Sequence, residues 1–435
     1  MQVKIGMVGG GTVGSGVYHA LTQNGKLMAA RTGLDLEFRR IAVKALDEPR
    51  PYKIPNSLMT TDWQSVVKDP EVQIVAELVG GTTLARTIIL EALNLGKPVV
   101  TANKALLSKH GEELFAAARK NKTNLYYEAS VCGGIPIIKS LREGFVGNKI
   151  THLYGIVNGT CNYILTRMAK EGADFDVVLK DAQRLGYAEA EPSLDVDGFD
   201  AQHKTGILAS LAHGFWVDPT DVYVEGIRAI TKQDMEFAAQ MGYTIKLLGI
   251  VKLLEAPAPD SKKPTRIQAS VYPALIPNSH VMASVNEVFN AVFVRGDVVG
   301  DTLFYGRGAG KDATASAVLS DFADAALDIA HGCNSRVSAF VPHQTRAKVA
   351  GIDEVVSRYF VRLRVADVPG TLARITRIFG ESKIGISSVI QPEGSEGDAV
   401  PLIFMLHEAP NGAVRKALQK IRSLPVSLLF ISRRI

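Results

Sequence analysis

The sequence predicts an α/β protein built from more than one domain. Three observations carry this. Strand-like and helix-like apolar patterns alternate over roughly the first third of the chain, as in a doubly wound parallel sheet. A glycine-rich turn, Gly9-Gly-Gly11-Thr-Val-Gly14, joins the first strand to the first helix. From Arg358 the pattern changes to strand, helix, strand, strand, helix, strand, the ferredoxin-like order. The expected division is a Rossmann-type doubly wound domain at 1–135, a central α+β domain at 136–335, a linker at 336–357 and a ferredoxin-like βαββαβ domain at 358–435. The central part is expected to return to the first domain near 306–330.

Val3 to Val8 reads as a buried parallel strand, and a helical pattern runs from Val13 to about Leu27. Between them, Gly9, Gly11 and Gly14 have the spacing that permits a tight turn and close approach of a pyrophosphate to a helix N-terminus. A simple glycine turn is the competing reading. The second strand is expected over Phe38 to Lys44. At its end a dinucleotide site specific for NAD carries an acidic residue, whereas a cation favours the 2′-phosphate of NADP. Lys44, with Arg50 nearby, leans toward NADP, and Asp47 keeps the choice open. Further strands are expected at Val72–Val79 and Val99–Val100, with a helix from Leu84 to Leu95 between them. Lys104 follows the last of these strands, at the edge where open parallel sheets bind ligands.

Glu128 ends the next strand and precedes a turn, Val131-Cys-Gly133-Gly-Ile135, rich in accessible carbonyls. A carboxylate with carbonyl oxygens suits a hard monovalent cation, and it equally suits a plain turn. A strand at Leu153–Val157 leads into Asn158-Gly-Thr160 and a helix, in which Cys161 reads as packing.

An acidic stretch runs from Gly186 through Glu189, Glu191, Asp195, Asp197 and Asp200 to Lys204. Asp200 and Lys204 are four apart, so they share a helix face that continues through Leu208 and Leu211. A lysine on a core-facing stripe is partly desolvated, which lowers its pKa and suits it to donate a proton. The carboxylates are suited to an ammonium group. The plain alternative is a solvated acidic loop before a helix start. The spacing is not that of a calcium-binding EF-hand loop. Glu255 to Pro264 is a proline-rich surface loop, and Gly306-Arg-Gly308-Ala-Gly310 is a second glycine turn opening a helix from about Thr314 to Ala330.

The totals exclude several classes. A formal charge of +5 on 435 residues, without a basic stripe, argues against nucleic-acid binding. Three scattered cysteines, Cys132, Cys161 and Cys333, argue against a disulfide framework or a zinc site. No run of about 18 apolar residues is present, and the N-terminus enters a strand directly, so a cytoplasmic location without membrane attachment is expected.

Taken together, these motifs resemble the homoserine dehydrogenase family, in its bacterial type with a C-terminal ACT domain. The resemblance rests on Gly9-x-Gly11-x-x-Gly14, Glu77-Leu-Val-Gly-Gly81, Thr101-Ala-Asn-Lys-Ala105, Glu128 through Pro136, Asn158-Gly-Thr160, Leu185-Gly-Tyr-Ala-Glu189, Asp195 through Lys204 and Gly306-x-Gly-Ala-Gly310. It implies NAD(P)-dependent interconversion of L-aspartate 4-semialdehyde and L-homoserine. It implies Lys204 as proton donor and Lys104 as a second active-site lysine. It implies Glu189, Gly186, Asp195 and Asp200 as substrate contacts. Gly9, Gly11, Thr12, Val13, Gly14, Lys44, Lys104, Gly308 and Gly310 are the implied cofactor contacts. Glu128, Val131, Gly133 and Ile135 match a sodium site. The central domain is implied to bind substrate and to dimerise. The C-terminal unit, through Asp367-x-Pro-Gly370-x-Leu372, implies an amino-acid effector, threonine, and a homodimer or homotetramer. The chain departs from the family's usual pattern at Glu191, commonly Asp, and at Ala313, commonly Pro.

Overall fold

The structure is a computed structural model. It describes residues 1–256, 263–393, 399–424 and 426–435. The core of the expected proline-rich loop, 257–262, lies outside the described residues. The chain forms two compact units. The first is Met1–Leu153, His203–Pro219 and Asn290–Arg346; the second is Tyr154–Gln202, Thr220–Phe289 and Ala347–Ile435.

The first strand, β1 (Gln2–Val8), is buried along most of its length, as a central parallel strand must be. It enters α1 (Thr12–Thr32) through the glycine turn. This helix runs past Leu27 because Met28-Ala-Ala-Arg31 are good helix formers. Gly33, in the left-handed region at φ 75°, ends it by donating its N–H to the Ala29 carbonyl. β2 (Asp35–Ala42) starts and stops earlier than the span Phe38–Lys44 because it pairs along the whole of β1. β3 (Met59–Thr60) and α2 (Trp63–Lys68) are additional to the expected elements; both are too short to register a hydrophobic period. There follow β4 (Ile74–Glu77), α3 (Leu84–Asn94), β5 (Val99–Thr101), α4 (Lys104–Lys120) and β6 (Leu125–Tyr126). The six strands are parallel, in the order β3-β2-β1-β4-β5-β6. That order reverses between β1 and β4, and the crevice beyond those two carboxyl ends is the ligand position of a doubly wound sheet.

Next come α5 (Ile137–Lys139), β7 (Ile150–Ile156), α6 (Gly159–Glu171), α7 (Phe175–Arg184), α8 (Ser193–Val196) and α9 (Phe199–His213). β8 (Tyr223–Val224) and α10 (Lys232–Gln240) precede a long antiparallel pair, β9 (Tyr243–Glu255) and β10 (Thr265–Pro277). β11 (Phe289–Gly296) and β12 (Gly300–Arg307) are sheet neighbours and lead into α11 (Lys311–Ala330). α11 returns to the first unit's core. Ala315, Val318, Phe322 and Ala325 pack with Val17 and Leu21 of α1 and with Ile5, Met7 and Phe38 of the sheet.

β13 (Ala347–Val349) pairs with β10 and falls within the stretch read as a linker. β14 (Val356–Ala366), α12 (Thr371–Glu381), β15 (Ile386–Ile390), β16 (Ala399–Pro410), α13 (Asn411–Arg422) and β17 (Val426–Arg434) complete the chain. Their sheet order is β17-β14-β16-β15, all antiparallel. The amphipathic helices α12 and α13 bury Ile375, Phe379, Val414 and Leu418 against Tyr359, Val361 and Phe404. β17 also pairs in parallel with β10, Ala274 opposite Arg433. The C-terminal strands are thereby continuous with the second unit's long pair. Among the described residues no helix is long and apolar enough to cross a membrane.

Candidate functional site

The glycine turn is shaped by what a side chain would strike. A Cβ on Gly14 would sit 1.9 Å from the Gly9 carbonyl oxygen, and one on Gly9 would sit 2.5 Å from the backbone of Leu78. Gly9, at φ 112°, donates its N–H to the Ala42 carbonyl at 2.9 Å. The turn is thus pressed between the ends of β2 and β4. Gly11 is different: among the described residues nothing lies within 4 Å of the position its Cβ would take. Gly11 also caps α1 without a side-chain hydrogen bond, and the first turn of α1, which begins with Thr12 and Val13, holds no acidic residue. An open, uncapped helix N-terminus of this kind is an anion cradle. Lys44 is exposed two residues beyond β2. Arg50 donates to the carbonyls of Ala45, Leu46 and Glu48 and so braces the turn after it.

Across the crevice, the ends of β4 and β5 are joined by a buried network. Glu77 Oε1 accepts from the N–H groups of Val79 and Gly80 at 2.9 and 3.1 Å, and its Oε2 accepts from the Thr101 hydroxyl at 2.7 Å. Burial raises the Glu77 carboxyl above its ordinary range, and these hydrogen bonds oppose the rise. Asn103 donates to the Gly81 carbonyl at 2.7 Å and caps α4 by accepting from Leu106 N–H. Lys104 is the first residue of that helix. Gly80 and Gly81 both have open space where a Cβ would be, so this turn also faces a void.

The loop after β6 is almost wholly buried. Glu128 is 5 % exposed, Val131 and Ile135 are buried, and Cys132 takes a left-handed φ of 53°. Both Glu128 carboxylate oxygens are engaged, accepting from Ile138 N–H at 2.9 Å and Lys139 N–H at 2.7 Å. Burial pushes the Glu128 carboxyl up to about 7. Gly133 lies against Thr314 of α11, and Gly134 donates to the Arg307 carbonyl. Gly308 sits where a Cβ would overlap the Asn290 amide, whereas Gly310, at φ 110°, has open space and caps α11.

Lys204 lies on α9 and is 6 % exposed; Asp200, one turn earlier, is 3 % exposed and Leu208 is 1 % exposed. The stripe positions Asp200, Lys204 and Leu208 are buried, but so is every residue from Lys204 to Ser210, so this part of α9 is buried all round and not along one face; Leu211, expected on the stripe, is half-buried.

The acidic stretch is organised from the start of α6. Asn158 caps that helix, its Oδ1 accepting from Cys161 N–H at 2.8 Å. Its Nδ2 donates to Asp195 Oδ1 at 2.7 Å and to Asp200 Oδ2 at 2.8 Å. The Thr160 hydroxyl donates to the Tyr187 carbonyl at 2.7 Å, and the Cys161 thiol donates to the Asp195 carbonyl at 3.2 Å. Gly186, at φ 77°, turns the chain, and Gln183 donates to the Glu189 carbonyl at 3.0 Å, with Glu189 itself exposed. The structure thus brings Asp195 and Asp200 together at one amide.

A family model described as homoserine dehydrogenase matches residues 136–323, and one described as its NAD-binding domain matches residues 9–128. The homoserine dehydrogenase of Synechocystis is 42% identical over 98% of this chain and 97% of its own length. That of Pseudomonas aeruginosa is 41% identical over 97% and 96%. The chain belongs to the homoserine dehydrogenase family. It is similar in structure to a homoserine dehydrogenase from Thiobacillus denitrificans, with a TM-score of 0.91, 41% identity and coverage of 100% of this chain and 98% of that one. A hyperthermophilic archaeal homoserine dehydrogenase in complex with NADPH gives 0.62 at 26% identity, covering 75% of this chain and 98% of that one.

As a homoserine dehydrogenase family member the chain is an oxidoreductase with a nicotinamide-binding domain. The cradle at Gly9, Gly11 and Gly14 fits that group, since its walls exclude side chains and its mouth is open. Glu77, Thr101, Asn103 and Asn158 are the polar residues that reasoning from sequence left without a role. The available signal was their place inside the family's motif stretches; the partners that tie them across the fold, Thr101 for Glu77, Gly81 for Asn103 and Asp200 for Asn158, are distant in sequence.

Proposed function

We propose that the chain reduces L-aspartate 4-semialdehyde to L-homoserine with Lys204 as the proton donor. A bound nicotinamide supplies the hydride to the aldehyde carbon. As the carbonyl oxygen gains negative charge, a positioned ammonium stabilises it and passes on a proton. Lys204 takes that role, and its burial on α9 is the observation that carries the reading. Lys104 adds positive charge at the end of β5. Glu189, Gly186, Asp195 and Asp200 hold the substrate's amino end. Gly9, Gly11, Thr12, Val13, Gly14, Gly308 and Gly310 contact the cofactor. Lys44 favours NADP, in keeping with the NADPH bound by the archaeal relative. A sodium ion would be held by the turn of Val131, Gly133 and Ile135. Glu128 would complete it with its carboxylate, each oxygen keeping a lone pair beyond the one N–H group it accepts.

The division proposed is 1–135, 136–335, a linker at 336–357 and an ACT-type domain at 358–435. The last has a cavity of about 460 Å³ at the Asp367–Leu372 turn, closed in part by Gln391, which donates to Asp367 at 2.8 Å. Threonine is the proposed effector, with the protein acting as a cytoplasmic homodimer or homotetramer. The test is oxidation of NADPH and NADH by the full chain with L-aspartate 4-semialdehyde, with and without threonine. The reading predicts turnover, faster with NADPH, and loss of rate with threonine. A rate unaffected by threonine removes the effector assignment, and a faster rate with NADH removes the role given to Lys44.

A further inference from the structure

Asn158 spends every polar group it has on the acidic stretch and its helix. Its oxygen accepts from Cys161 N–H at 2.8 Å, which fixes the amide's orientation, because only the oxygen can accept. The nitrogen then carries two hydrogens on the opposite side. One goes to Asp195 at 2.7 Å and the other to Asp200 at 2.8 Å. The side chain is 5 % exposed and Asp200 is 3 % exposed, so water competes little for these bonds.

The residue type matters. Two carboxylates held side by side repel one another. A lysine or arginine at 158 would draw them together and cancel their charge. An aspartate would add a third negative group. A neutral amide orients both carboxylates and adds no charge of its own. The same turn fixes the stretch at two more points, through Thr160 to Tyr187 and Cys161 to the Asp195 backbone. One turn of α6 therefore sets residues 187, 195 and 200 in register.

We infer that Asn158 is a positioning residue for recognition of the substrate's ammonium group: it sets the mutual geometry of Asp195 and Asp200 and brings no charge of its own. This rests on the reading of those two aspartates as substrate contacts. It assigns amino-group selectivity to a residue that itself need not touch substrate.

The experiment is steady-state kinetics of the full chain and of Asn158→Ser and Asn158→Asp. The substrates are L-aspartate 4-semialdehyde and 4-oxobutanoate, the same aldehyde acid without its amino group. Serine keeps a capping oxygen but has one hydrogen to donate. Aspartate keeps the capping oxygen and the side-chain size. For Asn158→Ser the expected result is a KM for the amino substrate raised on the order of tenfold, the value of one charge-assisted hydrogen bond. The KM for NADPH should be unchanged, and the preference for the amino substrate over 4-oxobutanoate should fall by the same factor. Asn158→Asp should lose more of that preference. Unchanged preference in both variants overturns the inference, as does an equal loss on both substrates in variants whose melting temperature matches the parent. Silence of the parent chain with the amino substrate would instead sink the proposed reaction.

Discussion

His213 shows how a single buried side chain sets the response to acid. It closes α9 at 6 % exposure, and its Nε2 is buried with no hydrogen-bond partner among the described residues. Burial, and then the nearby His343, hold its pKa down to about 4. In the unfolded chain it titrates near 6.5. Between those values the unfolded state binds the extra proton, so this group's contribution to stability is full above pH 6.5 and falls as pH drops toward 4. The difference amounts to about 3 kcal/mol. His213→Leu should therefore lose about 3 kcal/mol less than the parent over that window. Urea unfolding at the two ends of the window measures it; parallel losses in parent and variant would refute the assignment. Nothing in the sequence marks His213. Lys204 was legible because its spacing from Asp200 and Leu208 is local, whereas His343, which acts on His213, stands far along the chain. Asn158 was missed for the same reason, since its partners are 37 and 42 residues away.

At the scale of elements, the strand ends matter more than the strands. β4 and β5 are four and three residues long, and alone they define little. Glu77 makes their ends one structure by holding Val79, Gly80 and Thr101, while Asn103 ties Gly81 to the start of α4. Glu77→Ala leaves two N–H groups and a hydroxyl without their acceptor, a stability loss of about 3 kcal/mol. It should also raise the KM for NADPH on the order of tenfold, since the turn facing the crevice loses its anchor. Glu77→Gln keeps an acceptor for the two N–H groups and should recover most of both. Kinetics and thermal melting of the two variants check this; an unchanged KM for NADPH in Glu77→Ala would remove the network from cofactor binding. The alternation that made the parallel sheet legible is a property of consecutive residues. The boundaries of α1 and β2 were not, because Gly33 ends the one and pairing with β1 sets the other.

At the scale of the whole chain, the sequence passes repeatedly between two units. The glycine turn, Lys104 and Lys204 belong to the first, and Gly186, Glu189, Asp195 and Asp200 to the second. The second unit also binds its C-terminal strands firmly. Arg362 of β14 and Asp234 of α10 form an ion pair at 2.7 Å with 4% and 0% side-chain exposure. Arg433 of β17 lies over the Tyr272 ring at 4.4 Å and pairs with Glu225 at 3.1 Å. The order of the C-terminal elements was legible from alternation. The pairing of β17 with β10 was not, because it joins segments some 160 positions apart that no local pattern connects. The return of the chain to the first unit near 306–330 was legible, as α11 shows; the change of unit inside α9, after Gln202, was hidden.

Lys204, buried on that helix, is the proposed source of the proton when the aldehyde is reduced. The most direct test is the turnover number of Lys204→Ala with L-aspartate 4-semialdehyde and NADPH, read beside the KM for NADPH. With Lys204 as the proton donor, the variant's turnover number should be lower on the order of a hundredfold or more, with the KM for NADPH unchanged. A turnover number equal to that of the parent chain would contradict it.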